Sequence, residues 1–153
     1  MTELYQILGQ VTYSFSRIDF LISGIAFDFG FTDSPYLYFA NSRFEEKLKH
    51  FNTELLKQFK NPDTVNEIDT WVSILQDLRK KRNNLTHSII LSNMDNHDDM
   101  VFYNYRLDKK ILVREVNRYS LTDLKNLNMD FIKAHNDGFI LFTELKDART
   151  NDQ

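Results

Sequence analysis

The sequence predicts a mainly α-helical protein, an antiparallel bundle of about four long helices with a β-hairpin between the third and the fourth. Three observations predict it. Apolar residues recur every three or four positions over four long stretches. Four Gly and two Pro in 153 residues leave few turn signals, which favours long helices over many short strands. Only the interval 100–119 gives up the helical period for β-branched and aromatic runs.

The first helix is expected from about Thr2 to Phe29, with Leu4, Leu8, Val11, Phe15, Ile18, Ile22, Ile25 and Phe29 on one stripe. Gly30 and the "TDSP" turn at 32–35 end it. The second helix covers roughly Ser42 to Phe59, its face formed by Phe44, Leu48, Phe51, Leu55 and Phe59, and "YLYFA" before it either begins that helix or forms a separate turn. Asn61-Pro62-Asp63 breaks the pattern. Thr64 as N-cap and Glu67 three residues on then read as a capping box for the third helix, which continues through "RNNLTH" at 82–87 with its period fading only after Ile90.

"MVFYNYRL" (100–107) and "ILVREVNRY" (111–119), flanking Asp108-Lys109-Lys110, read as the hairpin. Ser120 and Asp123 form a second capping box and launch the last helix, with the stripe Leu124, Leu127, Phe131, Ala134, Gly138, Leu141 and Leu145. Gly138 on the packed side costs about 1 kcal/mol of helix propensity but permits close helix approach.

Composition narrows the function. The chain is 42% hydrophobic and 27% charged, ordinary for a soluble globular protein, and its length suits one domain, 1–153. It has no cysteine, which excludes disulfides, thiolate metal sites and Cys nucleophiles and fits a reducing cytoplasm. The N-terminus lacks a basic signal region, and "FLISGIAF" (20–27) is too short to span a bilayer, so no membrane association is expected. A net charge of −3 argues against general nucleic-acid coating. Positive charge is still clustered, in Arg79, Lys80, Lys81 and Arg82 and again in Arg106, Lys109, Lys110, Arg114 and Arg118, which suits a local RNA contact.

The third helix carries the anomaly. Its stripe reads Ile68, Trp71/Val72, Leu75, Leu78, then Leu85 and Ile89, and Arg82 fills the slot where an aliphatic residue belongs. A charge in a packing seam costs several kcal/mol unless it is paired or faces a wet cleft. Asp77 and Asp123 are the carboxylates that could pair it structurally. Asn83 and His87, four apart, share a side of the helix, and the long Arg82 side chain can reach toward them. A histidine can take the proton of a ribose 2′-OH as it attacks phosphorus, while a guanidinium holds the phosphate. One histidine cannot be acid and base at once, so the chemistry calls for two copies at a two-fold axis.

Arg82-Asn83-x-x-x-His87, preceded by "ILQDLRKK", resembles the signature of the HEPN superfamily (higher eukaryotes and prokaryotes nucleotide-binding), and "RFEEKLKHF" and "RYSLTDLKNL" resemble flanking helices of its small prokaryotic members. The resemblance implies a helical, homodimeric, metal-independent endoribonuclease without cofactor, in a toxin–antitoxin, abortive-infection or other phage-defence setting, with an antitoxin or defence protein as a further partner. It implies Arg82 and His87 as catalytic and Asn83 as the polar residue that orients them. Some HEPN domains only bind RNA, nucleotide or a protein. Ile89 stands where toxins paired with nucleotidyltransferase antitoxins carry a modified Tyr.

RNA contacts are expected from Arg79, Lys80 and Lys81 on the helix and from Tyr103, Tyr105 and Arg106 on the hairpin, with aromatic rings stacking on unpaired bases. His50 and His135 are expected at the surface. "DNHDD" (95–99) lacks the Gly and terminal Glu of a calcium loop and reads as a solvated turn, so no metal is expected.

Overall fold

The computed structural model describes residues 2–31, 42–91 and 100–151. The "TDSP" turn, "YLYFA" and the "DNHDD" run fall outside the described residues. Within them the chain forms α1 (Thr2–Asp28), α2 (Phe44–Leu56), α3 (Pro62–Thr86), β1 (Ile89–Leu91), β2 (Met100–Asp108), β3 (Ile111–Tyr119) and α4 (Leu121–Asn151). It is a mainly helical bundle with an antiparallel hairpin between its third and fourth helices, as the periodicity predicts.

α1 ends where Gly30 enters the left-handed region at φ 74°. Its N–H reaches the Phe27 carbonyl at 3.1 Å, and the next N–H, of Phe31, reaches Ala26 at 2.9 Å. This pair of bonds satisfies two carbonyls the helix would otherwise leave open. α1 runs alongside α4 in the same direction, as Glu3–Lys125, Ser14–Asn128 and Asp28–Lys146 contacts at 2.7–2.9 Å show along its length. It also runs with α2, from Asp19–Lys47 to the bond that Gln58 donates to the Phe29 carbonyl. α3 runs against α2, with Arg79 meeting Glu45 and Asn52 meeting Asp69. It runs against α4 as well.

The α1 stripe is buried from Leu4 to Phe29 apart from Leu8, which is half-buried. Phe51, Trp71 and Phe142 form the centre of the core, with ring centroids 5.3–6.2 Å apart. A fully buried side chain of this size contributes about 1.5–3 kcal/mol. Phe142 is absent from the expected α4 stripe, yet it is buried while Leu141 is only half-buried. Gly138 lies against the Trp71 ring: a Cβ there would fall 2.3 Å from Cζ2. The indole N–H donates to the Ala134 carbonyl at 2.8 Å, so one ring fills the α3–α4 seam with its buried donor satisfied.

Three expectations need correction. The N-cap of α3 is Asn61, not Thr64: the Asn61 Oδ1 accepts from the N–H groups of Asp63 and Thr64, and Pro62 occupies the first turn, where its missing N–H is harmless. α2 stops at Leu56, short of Phe59, whose ring still packs on Phe29 at 5.8 Å. α3 stops at Thr86, and Ile89–Leu91 forms a third strand rather than helix. Two consecutive isoleucines favour extended backbone, and β2 offers a ladder on which to pair them. The capping box at Ser120 is present: Ser120 N–H donates to Asp123 Oδ2 at 2.7 Å, and Asp123 N–H donates to Ser120 Oγ at 3.0 Å.

The sheet has the order β1-β2-β3, antiparallel throughout. Ile89 pairs with Tyr103, Tyr103 with Val116 and Asp108 with Ile111. The turn is thus two residues, Lys109 and Lys110, both with positive φ (49° and 70°), the form whose twist suits a hairpin. Met100 and Phe102 point into the bundle and are buried, and Tyr105 on the alternate face is exposed.

Candidate functional site

The last turn of α3 holds the three motif residues, and the local sequence explains their placement. Leu78 and Leu85 are buried on the seam, one turn to either side of Arg82, and pin that face of the helix to the core. Arg82 therefore starts inward and must run its side chain along the seam. Its Cζ lies 4.7 Å from the centre of the Phe15 ring on α1, a cation–π contact, and Phe15 itself rests on Phe44 (4.6 Å) and Phe131 (5.9 Å). One Nη of Arg82 donates to the Asn83 Oδ1 at 3.1 Å. Its Nε is buried with no hydrogen-bond partner.

Among the described residues no carboxylate lies within ion-pair distance of Arg82. Asp77 instead pairs with Lys80 at 3.6 Å, and Asp123 is taken by Ser120. The guanidinium is held by an aromatic face and an amide, so its positive charge remains uncompensated at close range.

His87 is the C-cap of α3, with φ −104° and ψ 7°, and its backbone N–H donates to the Asn83 carbonyl at 3.1 Å. The residue is exposed. Asn83 thus touches both partners, taking the Arg82 head on its side chain and the His87 N–H on its carbonyl. The side chains of Thr86 and Ser88 also turn back onto the helix, bonding the carbonyls of Arg82 and Asn84. These bonds give the helix end a defined shape despite its change to strand.

The expected RNA-contacting residues divide. Arg79 is drawn to α2, with Nη1 2.8 Å from Glu45 Oε2 and a side chain only 15% exposed, so it joins helices. Lys80 is exposed beside Asp77. Lys81 borders a cleft of about 380 Å³ together with Arg118 and Tyr119, which Asp123 and Asp130 also line. Tyr103 and Tyr105 share the outward face of the sheet. Arg106 faces the other way, paired with Glu115 and 4.0 Å from Asp108, and its pKa is raised chiefly by the Glu115 bond. Strand alternation separates it from the tyrosines, a result its sequence neighbours conceal.

Arg114 and Arg118, part of the basic cluster read from the sequence, do stand on the outward face with the tyrosines. Arg114 Cζ lies 5.5 Å from the Tyr103 ring. The odd–even pattern of β3 carried that signal, because Arg114 aligns with Tyr105 and Arg118 with Val101. His50 and His135 are half-buried rather than at the surface: His50 packs against Phe31 at 6.2 Å, and His135 Nδ1 is 3.5 Å from Arg17. Among the described residues no group of three or more His, Asp or Glu side chains could hold a metal, and no helix is long and apolar enough to cross a membrane.

No protein-family model, curated protein or solved structure matches the chain.

Proposed function

We propose that the chain is a HEPN-like endoribonuclease that cleaves RNA without metal in a composite site built by two copies, in a toxin–antitoxin or phage-defence setting. The observation that supports this best is the arginine with no carboxylate beside it among the described residues, bonded to Asn83, which lies about one helical turn from an exposed histidine. In this reading His87 removes the proton of a ribose 2′-OH, and the oxygen attacks the adjacent phosphorus. Arg82 stabilises the charge that builds on the phosphoryl oxygens, and Asn83 fixes the angle of the guanidinium. His87 of the second copy, protonated, gives its proton to the departing 5′-oxygen. The products are a 2′,3′-cyclic phosphate and a 5′-hydroxyl. An antitoxin or defence partner would act by covering Arg82 and His87.

The test is cleavage of a labelled mixed-sequence RNA in EDTA by wild type, Arg82→Ala and His87→Ala, each checked for folding by circular dichroism. Cyclic-phosphate ends from wild type alone support the reading, and an inert wild type sinks it. A second reading, a non-catalytic HEPN domain that binds RNA, nucleotide or a protein, draws on the retracted position of Arg82. Its Cζ lies over Phe15 and its Nε is buried, which leaves less of the fork to grip a phosphate. Binding without cleavage would favour it.

A further inference from the structure

Alternation along the hairpin sorts its charges. Asp108 and Glu115, the acids of β2 and β3, gather around Arg106. The outward face of the same two strands bears no acid of its own: it presents Tyr103 and Tyr105 on β2, Arg114 and Arg118 on β3, and Val or Leu elsewhere, with Arg118 bordering the cleft that Asp123 and Asp130 line. On a chain of net charge −3 this is a local reversal of sign. The rings are usable as well as present. Tyr105 is 55% exposed, and the Arg114 guanidinium already lies over Tyr103. Two residues along a strand span about 7 Å, so each ring meets a different base of an extended strand.

The register connects this face to the end of α3. The ladder pairs Leu91 with Val101, Ile90 with Phe102 and Ile89 with Tyr103. Two further steps would bring position 87 level with Tyr105. The chain becomes helix before that point, so His87 lies two residues beyond Ile89, the last paired position, which faces Tyr103.

We infer that the outward face of the hairpin is a binding platform for single-stranded RNA, with Tyr105 and Tyr103 stacking on bases and Arg114 contacting phosphate. The strand it holds runs toward His87. The inference deepens the ribonuclease reading by naming unpaired RNA as the substrate class, and it rests on that reading only for what happens after binding. Duplex RNA buries its base faces and fits the platform poorly.

The experiment measures fluorescence anisotropy of a short labelled 2′-O-methyl RNA, which lacks the nucleophile and survives incubation with wild type. Wild type should bind it at low salt and prefer it to the corresponding duplex. Tyr105→Ala should weaken binding about tenfold, the lower part of the range one base–aromatic stack supplies. Arg114→Gln should weaken it too and flatten the log–log salt dependence by about 0.7, one phosphate contact. Both positions are exposed, so neither change threatens folding.

Absence of binding by wild type would overturn the platform, as would unchanged affinity and salt slope in both variants. If Tyr105→Ala altered self-association and not RNA affinity, the face would belong to a protein contact and the platform would fall. The two readings separate cleanly. Binding without cleavage sinks the catalytic proposal alone, and cleavage with both variants binding normally sinks the platform alone.

Discussion

Gly138→Ala should destabilise the protein although alanine is the better helix former. Alanine would favour α4 by about 1 kcal/mol through propensity. The new methyl, however, would sit 2.3 Å from Trp71 Cζ2, 2.5 Å from Cε2 and 2.8 Å from Nε1. An ordinary carbon contact is roughly 3.5–4.0 Å, so the indole must move by more than 1 Å or the helices must part. Trp71 has little room, being 4% exposed and flanked by Phe51 and Phe142. Overpacking of this kind costs about 1–3 kcal/mol. Displacing the ring also stretches its bond to the Ala134 carbonyl, and leaving the buried indole N–H unsatisfied adds about 1–3 kcal/mol. The net expectation is a loss of about 1–5 kcal/mol after the propensity gain. Urea unfolding followed by far-ultraviolet circular dichroism measures it, and Trp71→Phe supplies the control. The smaller ring lacks the atoms that clash, so Gly138→Ala should cost less in the Trp71→Phe background. Equal or greater stability of Gly138→Ala in the wild-type background would refute the reasoning.

Other outcomes follow from the same geometry. Arg82→Met should keep stability within about 1 kcal/mol, because the methionine retains contact with Phe15 and removes a buried Nε that bonds to nothing; a loss above about 3 kcal/mol in urea would mark the arginine as structural. Lys109-Lys110→Asn-Gly should stabilise the hairpin by about 0.5–1 kcal/mol, since both positions hold positive φ, and thermal melts would record the gain. Ser120→Ala should cost about 1 kcal/mol by opening the first turn of α4, which urea unfolding would show. Asp123 titrates below the usual carboxylate range because the Ser120 N–H and hydroxyl bond its ionised form. Its folded pKa is depressed, so its contribution is present above the unfolded value and fades as pH falls through and below about 4. An Asp123→Asn protein should show a shallower acid limb, and identical limbs would contradict the assignment.

Much of the helical layout was legible because period and punctuation agree. The α1 stripe, the Gly30 stop and the Ser120 box each depend on neighbours within a turn or two. Where the reading failed, a longer reach decided. Two N-cap candidates compete before α3, and Asn61 wins because Pro62 fits the first helical position. Ile89 continues a helical stripe by spacing alone, and only its partner on the next strand, Tyr103, fourteen residues on, makes it extended. The site shows the same division. Arg82 is conspicuous as a charge on an apolar stripe, and its bond to Asn83 is local. Its contact with Phe15 is not, because nothing in either segment announces the other. Lys47, only 5% exposed and held by Asp19 at 2.8 Å, would pass for a surface residue by sequence.

The junction between α3 and β1 has one further consequence. Only His87 and Ser88 separate helix from strand, and neither is the glycine that a free hinge would use. A change in the direction of β1 would therefore act first on the His87 N–H to Asn83 bond, the last that α3 makes, and so on the angle between Arg82 and His87, while Leu85 stays buried.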